Sequence, residues 1–404
     1  MSLDEFPEYK ELSCTCVYCG NAPVSHRMTY VISTTLVLMG VMSKALARSG
    51  WWQYFVRLIS RIGAMLDRYA YGFLHLLRVV RYAHDPARSR TYRSQVVWEE
   101  ANRRGISMQQ IVMFGHYTDA YRAFVNGRWI YFESLPIPPH LIGSSYAWMD
   151  DKYVLKNMLR GEGIPVPRSF VVTTFAQACV VFGKIGGIVV VKPRSGTRGR
   201  HTTTHASTVA ELDAALRVAQ QLCHFVSLEE HLKGGVCRAT VVGGVLVGFF
   251  QALPPRITGD GVSTLGALII AQNAHKSARV QDIILNNENT EYLARLGLSE
   301  ASVIPEGETI DIGHRTGRLF GGYTRELLNI VHPILRAHIE HAARVLDVPI
   351  VGFDLIIEDP EKDTDLQKWG IIEANSLPFI DLHYLPLNGT PSNVATAVWD
   401  LWQV

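Results

Sequence analysis

Two stretches near the end of the chain constrain its fold more than any other feature of the sequence. Residues 351–357 and 369–375 are mostly apolar, each contains one acid, and a polar, acidic segment separates them. Short apolar stretches that flank a polar connection are typical of two strands of a β-hairpin, along which side chains point alternately to the two faces. The sequence therefore predicts a pair of strands joined as a hairpin by a loop over residues 358–369.

The acidic side chains indicate how the two strands align. If Asp354 lies opposite Glu373, then Ile357 falls opposite Gly370, and Asn375 joins the two acids on one face. The other face then carries a consistent apolar set: Phe353, Leu355, Ile357, Ile372 and Ala374. This alignment separates the polar side chains from the apolar ones.

Two carboxylates placed in this way repel each other. Like charges directly opposite destabilise a strand pair by up to ~1 kcal/mol, and burial raises that cost. A bound Mg²⁺ would turn the repulsion into coordination, because this ion takes one or two carboxylates together with phosphate and water oxygens. Asp354, Glu373 and Asn375 are therefore candidate metal ligands. The alternative is an ordinary polar face of a hairpin exposed to water.

A second candidate site follows an apolar stretch in the middle of the chain. Residues 188–191 are all apolar and are followed by Lys192, which places this ammonium at the end of a buried strand. A lysine there can neutralise phosphate charge without bidentate geometry. The next loop supplies residues whose backbone N–H groups can close over phosphates: Ser195, Gly196, Thr197 and Gly199.

Cations around this loop favour a bound anion. Three arginines flank it and would repel one another without a negative partner: Arg194, Arg198 and Arg200. The alternative is a surface lysine followed by a hairpin loop. A carboxylate substrate suits a planar guanidinium, for which the candidates are Arg256, Arg315 and Arg318. Asp260, between two glycines, is interpreted as bonding its own turn, and His383 as a structural residue.

The remaining sequence gives a coarse organisation. A length of 404 residues predicts two to three domains, and 48% hydrophobic with 19% charged residues is an ordinary globular composition. Residues 94–148 are predicted as a small α/β domain with a hairpin turn at Asn126–Gly127. Residues 1–93 are an extension before it, and residues 149–404 are the main domain. A net charge of +2 gives no reason to expect a nucleic-acid partner.

The N-terminal extension is basic. Residues 28–43 carry no formal charge but fall short of the ~20 needed to span a bilayer. Residues 51–82 combine helical apolar spacing with arginines, which predicts a basic amphipathic helix. The favoured interpretation is a helical extension docked on its own domain or a partner. The alternative is contact of residues 28–93 with an anionic membrane surface. The first 27 residues show no signal peptide, so the expected location is cytoplasmic, free or peripheral to a membrane.

Three of the six cysteines form a tight cluster near the N-terminus. Cys14, Cys16 and Cys19 follow a C-x-C-x-x-C pattern, and His26 lies seven residues further on. Such a set could hold Zn²⁺ with the histidine as fourth ligand. Structural zinc sites usually combine two segments, and no second C-x-x-C occurs here. A flexible tail with ordinary thiols is therefore the preferred interpretation.

Five blocks of sequence, in order over residues 149–384, resemble the ATP-grasp superfamily. They are DDKYVLKNMLRGEGIPVP, GIVVVKPRSGTRGRHTTT, VSLEEHLKGGVCRATVVGGVLVGFF, PPRITGDGVSTLGALI and, as one block in two parts, VGFDLIIEDP with WGIIEANSLPFIDLH. The fourth block is the most specific. It is similar to the ATP-grasp module of cyanophycin synthetase and of bifunctional glutathione synthetase.

This resemblance implies an α/β (α+β) ATP-grasp fold in which two lobes clamp ATP. The adenine lobe covers about residues 165–250 and the metal-binding lobe about residues 251–404. The implied activity is that of a Mg-ATP-dependent carboxylate–amine ligase that forms an acyl phosphate on amino-acid or small peptide substrates, with Mn²⁺ able to replace Mg²⁺. The implied ATP contacts are Lys152, Lys192, Ser195, Gly196, Thr197, Gly199, Glu229, Glu230 and Leu232. The implied catalytic residues are Lys192, Arg256 and Arg318, and the implied metal ligands are Asp354, Glu373 and Asn375.

Two positions depart from the family pattern. Relatives place an acid about seven residues after the adenine-linker glutamate, where this chain has Val236, and an arginine before the Pro-x-x-x-Gly-Asp-Gly stretch, where it has Ala252 and Leu253. Arg238 matches an arginine of the cyanophycin-type motif, and Arg256 is a candidate substitute for the missing one. These departures leave two alternatives open: a non-catalytic ATP-binding subunit, and a scaffold docked on a membrane or partner. Assembly as a homo-oligomer is also left open.

Overall fold

The structure is a computed structural model that describes residues 16–19, 24–47, 58, 62–63, 66–67, 69–142, 149, 151–195 and 199–403. The chain packs as two compact units. The first unit comprises Met1–Trp52 and Ala147–Leu232, and the second unit comprises Gln53–Tyr146 and Lys233–Val404. The division after Leu232 falls inside the predicted adenine lobe, and the predicted domain boundaries stay predictions.

The helices and strands are numbered here in chain order. The described α-helices are α1 (His26–Ala47), α2 (Tyr92–Arg103), α3 (Lys152–Gly161), α4 (Phe175–Ile185), α5 (Val209–Gln220), α6 (Leu265–His275), α7 (Asn287–Arg295), α8 (Pro333–Leu346) and α9 (Val394–Asp400). The described strands are β1 (Val80–Ala83), β2 (Met108–Met113), β3 (His116–Val125), β4 (Arg128–Glu133), β5 (Ser169–Val172), β6 (Val189–Pro193), β7 (Thr203–Ala206), β8 (Val226–Glu230), β9 (Gly235–Val242), β10 (Val245–Ala252), β11 (Arg256–Thr258), β12 (Thr309–Asp311), β13 (Thr324–Glu326), β14 (Ile350–Ile357) and β15 (Gly370–Asn375).

The first unit is built on a four-stranded antiparallel sheet with strand order β5-β8-β6-β7. Side chains alternate across each strand, so Val189, Val191 and Leu228 point to one face. On that face they share a buried core with Ala178 of α4 and Leu216 of α5. The apolar stretch before Lys192 is therefore a buried strand, as predicted. The opposite face remains available for polar side chains.

The second unit begins with an antiparallel meander in the order β1-β2-β3-β4. Strands β3 and β4 are joined by Asn126 and Gly127, which both have positive φ values, of 50° and 77°. A two-residue turn of this kind favours asparagine followed by glycine, so the predicted hairpin turn is confirmed.

A five-stranded antiparallel sheet forms the centre of the second unit, with order β13-β10-β9-β14-β15. Its core is continuous with that of the meander and of α2. Trp98 of α2 and Trp399 of α9 both lie in this core and are almost completely buried. The indole Nε1 of Trp399 donates a hydrogen bond of 2.9 Å to the carbonyl of Val97. Strands β11 and β12 form a separate two-stranded sheet.

The register of β14 and β15 matches the prediction at the acidic pair. Asp354 lies opposite Glu373, and Gly352 lies opposite Asn375. A bulge follows, so that Gly370 pairs with Ile356 and not with Ile357. The predicted pairing of Ile357 with Gly370 is therefore wrong by one residue.

The bulge also corrects the predicted apolar face. An extra residue in one strand re-aims the side chains next to it. Ile371 is completely buried, whereas Ile372 is only half-buried. The buried set therefore contains Ile371 in place of the predicted Ile372, together with Phe353, Leu355, Ile357 and Ala374.

Much of the predicted basic helix over residues 51–82 lies outside the described residues. Its described part is helical at residues 58, 62–63, 66–67 and 69–76. The prediction is wrong at its end, because Val80–Ala83 form strand β1. Before it, α1 has 22 residues, and its buried positions include Ser33 and Val37, which are one turn apart. The backbone N–H of His224 donates to the Thr34 hydroxyl over 3.2 Å, so α1 packs within the first unit. In the part of the chain that the structure describes, no helix combines the length and apolarity needed to cross a membrane.

The shared core of the second unit predicts a strong effect of Trp399→Ala. The change removes a fully buried ring and its hydrogen bond, and we expect a loss of about 3–5 kcal/mol in the free energy of unfolding. Urea titration followed by circular dichroism measures it. Val262→Ala is the control, because Val262 is 82% exposed and its truncation should change stability by less than ~0.5 kcal/mol. Equal stabilities of the two variants would contradict the assigned core.

Candidate functional site

A buried carboxylate holds two lysines on the polar face of the first unit's sheet. Glu229 lies on β8 and is 2% exposed. Its Oε2 is 2.9 Å from Nζ of Lys192, at the end of β6, and its Oε1 forms an ion pair with Nζ of Lys156 on α3. Ser227, two residues earlier on β8, donates to the same Oε1 over 3.0 Å. We call Lys156, Lys192 and Glu229 the lysine–glutamate cluster.

The local sequence explains how these groups meet. Positions 227 and 229 share one face of β8 because side chains alternate, and Lys192 pairs with Ser227 in the sheet. Helix α3 begins at Asp151, whose carboxylate accepts hydrogen bonds from the backbone N–H groups of Tyr153 and Val154. From there the helix directs Lys156 towards Glu229.

Burial and charge act in opposite directions on this cluster. Burial alone would raise the pKa of Glu229, but the charges of Lys192 and Lys156 outweigh it and hold that pKa well below its usual range. Burial lowers the pKa of Lys156 to about 7, and the nearby charge of Lys192 adds to this lowering. Lys192 and a Lys156 that is only partly protonated near neutral pH therefore face one carboxylate, an arrangement suited to a further negative charge such as a phosphate.

Lys156 is a site residue that the sequence analysis missed. The buried positions of α3 include Lys152 and Lys156, which are one turn apart, beside Leu155 and Leu159. The charge of Lys152 also contributes to lowering the pKa of Lys156. Two lysines at this spacing on the buried face of an amphipathic helix were the signal, because an unpaired lysine is rarely buried.

Of the other predicted nucleotide contacts, some lie in described parts of the first unit and some lie outside the described residues. The Glu230 carboxylate accepts hydrogen bonds of 2.9 Å from the backbone N–H and the Nε of Arg168, so Glu230 is engaged within its own unit. Leu232 is buried directly after β8. Ser195 and Gly199 border the predicted phosphate loop. Gly196 and Thr197 lie outside the described residues, as does Arg198.

The expectation that the loop arginines need a bound anion is wrong for Arg194. This side chain is buried, and its Nη2 lies 2.8 Å from the carboxylate of Asp151. The same carboxylate caps α3, so one aspartate neutralises Arg194 and fixes the start of the helix. Arg194 therefore supports the architecture of the site.

In the second unit, the predicted metal ligands lie on one face of the central sheet. Arg238, Asp354 and Glu373 occupy one row across β9, β14 and β15, and Asn375 belongs to the next row. Nε of Arg238 is 3.6 Å from Oδ1 of Asp354. The row therefore combines two carboxylates in register with one guanidinium.

The structure separates the predicted substrate arginines. Nε of Arg256 is 2.7 Å from the carboxylate of Asp311, in the small two-stranded sheet. Arg318 is half-buried; burial lowers its pKa, with Arg279 adding to the effect and Asp381 opposing it. Burial raises the pKa of Asp381. Arg256 is engaged by a carboxylate outside the central sheet. Arg315 pairs with Glu288 over 2.8 Å.

Two further interpretations are confirmed. His383 is 1% exposed, and its ring nitrogens lie 2.7 Å from Glu326 and 2.8 Å from the Thr240 hydroxyl, so it has a structural role. Asp260 accepts hydrogen bonds from the backbone N–H groups of Val262 and Ser263 over 2.9 and 2.7 Å. It bonds its own turn, and the hydrogen bond from the Ser263 hydroxyl, followed by these backbone bonds, lowers its pKa to about 2.

Two of the N-terminal cysteines lie next to His201, a residue that the sequence analysis did not consider. Within the first unit, four side chains offer ligand atoms that all lie within 4.8 Å of one another: Cys16, Cys19, His26 and His201. We call them the cysteine–histidine cluster. Cys14 lies outside the described residues. His201 was not considered as a partner because 182 residues separate it from Cys19.

Comparisons with known proteins agree with the sequence resemblance. No protein-family profile matches the chain. Cyanophycin synthetase of Synechocystis sp. is 29% identical over 260 residues, which is 62% of this chain and 30% of that protein. The bifunctional glutathione biosynthesis protein GshAB of Mannheimia succiniciproducens is 27% identical over 253 residues, 60% of this chain and 33% of that protein.

A solved structure decides the fold. The crystal structure of a bifunctional glutathione synthetase from Pasteurella multocida superposes with a TM-score of 0.52 at 21% identity, over 77% of this chain and 43% of that chain. The chain has an ATP-grasp fold. The predicted fold class and the predicted resemblance are confirmed. This ATP-grasp chain spans about a third of the length of the curated relatives it matches.

The lysine–glutamate cluster predicts that Glu229→Gln destabilises the protein. The change leaves buried Lys156 without its counter-charge, and we expect a loss of about 3–5 kcal/mol in the free energy of unfolding near neutral pH. Thermal unfolding compared with wild type measures it. Glu162→Gln, at an exposed position in the same unit, is the matched control and should have little effect.

The same variant should show a characteristic pH dependence. Without Glu229 the folded pKa of Lys156 falls below its wild-type value of about 7. Below pH 7 the unfolded variant then binds more protons than the folded one, so its stability rises with pH relative to wild type. The difference in free energy of unfolding between wild type and the variant should narrow from about pH 5 to pH 7 and stay constant at higher pH. If this difference widened between pH 5 and pH 7, the assigned ion pair of Glu229 with Lys156 would be refuted.

Proposed function

We propose that this chain is a Mg-ATP-dependent carboxylate–amine ligase that activates an amino acid or small peptide as an acyl phosphate. The observation that carries the proposal is the placement of Asp354 directly opposite Glu373, with Asn375 on the same face. A pair of like charges in register is costly unless a cation occupies the site. The relatives, a cyanophycin synthetase and a bifunctional glutathione biosynthesis protein, support the class of reaction.

The acidic row fits a magnesium ion. Asp354, Glu373 and Asn375 supply oxygen donors, which Mg²⁺ or Mn²⁺ prefers, and all three are half-buried, so phosphate and water can complete the coordination. When bound, the ion would screen the charge of the phosphates and polarise the transferring group.

The lysine–glutamate cluster supplies the complementary charge. Lys192 and Lys156 are held in place by one carboxylate, so their ammonium groups are fixed before ATP arrives. Fixed cations stabilise charge that develops on a phosphoryl group without reorganisation at the moment of reaction. We assign Lys192 and Lys156 to phosphate, and Glu229 to positioning them. The remaining predicted nucleotide contacts, Lys152, Ser195, Gly196, Thr197, Gly199, Glu230 and Leu232, are retained in the proposal.

The reaction proceeds in two displacements. An oxygen of the substrate carboxylate attacks the γ-phosphorus of ATP, the bond to the β-phosphate oxygen breaks, and ADP leaves. The amine of the second substrate then attacks the acyl carbon, phosphate departs, and the amine loses a proton. We assign Arg318 to the carboxylate or its acyl phosphate, because it begins the short helical turn next to Gly317, whose backbone N–H donates to the Leu253 carbonyl at the position where relatives carry an arginine. Arg256, paired with Asp311, is assigned no step.

The acidic row yields a prediction about metal dependence. Asp354→Asn and Glu373→Gln are nearly isosteric, and each should lower the rate of acid-dependent ADP formation by at least about 10²-fold while leaving the fold intact. The measurement is coupled ADP release with Mg-ATP over a panel of amino acids and dipeptides. Asp365→Asn, exposed in the connection between the same two strands, is the matched control and should turn over normally. Wild-type turnover in both site variants would exclude the assigned ligands.

A second prediction identifies the intermediate. If the acid is activated as an acyl phosphate, hydroxylamine added with that acid and Mg-ATP should yield a hydroxamate. Lys192→Met keeps the apolar part of the side chain and removes the ammonium, so the loss should appear mainly in kcat for hydroxamate formation. Lys184→Met, in the last turn of α4, serves as the control for removal of a lysine elsewhere in the unit.

The outcomes separate the classes of function. Acid-stimulated release of ADP without hydroxamate, for every acid that stimulates turnover, would favour a phosphotransferase or an ATPase. Binding of ATP without turnover on any acid would favour a non-catalytic subunit. Either result would overturn the proposed ligase.

A further inference from the structure

The cysteine–histidine cluster lies in the first unit and shares no residue with the groups assigned to ATP. Cys16 and Cys19 enclose a turn of 3-10 helix, and the backbone N–H of Cys19 donates to the Cys16 carbonyl over 3.1 Å. This turn presents two sulfur atoms to the same side. His26 is the first residue of α1, and His201 lies just before β7. A two-cysteine turn combined with histidines from other segments is the usual composition of a structural zinc site.

The distances fit a tetrahedral metal ion. Zinc–sulfur bonds of about 2.3 Å and zinc–nitrogen bonds of about 2.0–2.1 Å, at tetrahedral angles, place sulfur and nitrogen about 3.5 Å apart. Nε2 of His201 lies 3.5 Å from Sγ of Cys16 and 3.5 Å from Sγ of Cys19. Nε2 of His26 lies 3.3 Å from Sγ of Cys19.

The surroundings orient the ligands as a metal site requires. Nδ1 of His201 lies 2.8 Å from the carbonyl oxygen of Val218, so this nitrogen carries the proton and Nε2 presents its lone pair to the sulfurs. A backbone carbonyl that orients the outer nitrogen of a ligating histidine is a recurrent feature of zinc sites. The backbone N–H of His201 also donates to the Tyr18 carbonyl over 3.0 Å, which joins the cysteine turn to the histidine segment.

The burial of the four side chains and the backbone conformation of His201 also support a metal site. Cys19 is 4% exposed and His201 is 1% exposed, whereas Cys16 and His26 are half-buried, so the cluster is closed on one side and accessible to an ion on the other. His201 has a φ of 51°, in the left-handed region that few residues other than glycine adopt. Such a conformation persists only where neighbouring contacts fix it.

We propose that the cysteine–histidine cluster binds one zinc ion and thereby fastens the N-terminal segment to the rest of the first unit. Two thiolates and two imidazoles in a closed tetrahedral arrangement suit Zn²⁺ better than Mg²⁺ or Ca²⁺, which prefer oxygen ligands. The site is distinct from the acidic row of the second unit. It also replaces the preferred sequence interpretation of a flexible tail with ordinary thiols.

The ion has a structural consequence for the predicted phosphate loop. His201 directly follows the stretch that begins at Ser195, so metal binding fixes the far end of that stretch. The ligands span 185 positions of the chain, and a crosslink of that kind restricts the unfolded chain as a disulfide does. Removal of zinc should therefore lower the melting temperature and expose the bond after Arg200 to trypsin.

Metal analysis of the full-length protein tests the proposal directly. Protein purified under reducing conditions without chelator should contain about one zinc ion per chain by plasma mass spectrometry. After removal of the zinc, titration with Co²⁺ should give the intense visible bands of tetrahedral coordination and a thiolate charge-transfer band in the near ultraviolet. Cys19→Ser and His201→Gln should lower zinc affinity by more than the roughly 10–100-fold that loss of an outer-shell partner costs.

Cys179→Ser is the matched control, because Cys179 is a half-buried free cysteine of the same unit outside the cluster. It should bind zinc and Co²⁺ as wild type does. If a ligand variant fails to fold, the titration of wild type remains decisive. Folded, reduced wild-type protein that binds neither metal tetrahedrally would overturn the proposal, and so would a Cys16–Cys19 disulfide in metal-free protein prepared under reducing conditions. Unchanged affinity in both folded ligand variants would overturn it as well.

Discussion

Compensation of buried charge is the constraint on which both units depend. Each unit presents one face of a sheet to an apolar core and the other to ionic groups. In the first unit, Glu229 is buried at the centre of β8 and is tolerable only because Lys156 and Lys192 reach it from α3 and β6. In the second unit, buried Glu326 is matched by His383, with the backbone N–H of Phe249 as a further donor. The carboxylates therefore determine which helices and strands pack together.

This principle also distinguishes structural charges from functional ones. Glu326 accepts hydrogen bonds from the Phe249 backbone N–H and the Ser392 hydroxyl and contacts His383, so its carboxylate is satisfied within the fold. In the acidic row, Asp354 and Glu373 lie directly opposite each other, and Arg238 is 3.6 Å from Asp354. Two carboxylates in register on the face of a sheet are where an external cation gains most. The same reasoning identifies the lysine–glutamate cluster as the site for an anion.

The sequence predicted what depends on local periodicity. Alternation along two strands was enough to place Asp354 opposite Glu373, because a one-residue slip would have exposed the whole apolar set. The bulge that moves Ile372 out of the core left no mark in that pattern, since apolar residues occupy both positions 371 and 372. Lys192 was found because it ends an apolar strand. Lys156 was missed because its partner, Glu229, lies on a distant strand of the chain.

Contacts between distant segments were the part that the sequence could not provide. Arg194 looked like a phosphate ligand, but the carboxylate that neutralises it lies 43 positions earlier, at the start of α3. His201 looked like part of a polar loop, and only the fold brings it to the cysteine turn. Neither pairing can be predicted from the spacing of residues in the sequence, because each depends on the order of the strands in the sheet. Such pairs follow from topology, which periodicity leaves open.

The missing family arginine shows how the fold resolves a question that the sequence left open. Relatives carry it where this chain has Leu253, and Arg256 was the candidate substitute. In the structure, the Leu253 carbonyl accepts hydrogen bonds from the backbone N–H groups of Gly317 and Tyr323, and its N–H donates to the Tyr323 carbonyl. The short helical turn that begins at Arg318 is thereby held against the position of the missing residue. Arg256 is only three residues away in sequence, yet it points into a different sheet and is paired there. We therefore propose Arg318, which lies 65 positions further along the chain, as the substitute for the family arginine in place of Arg256.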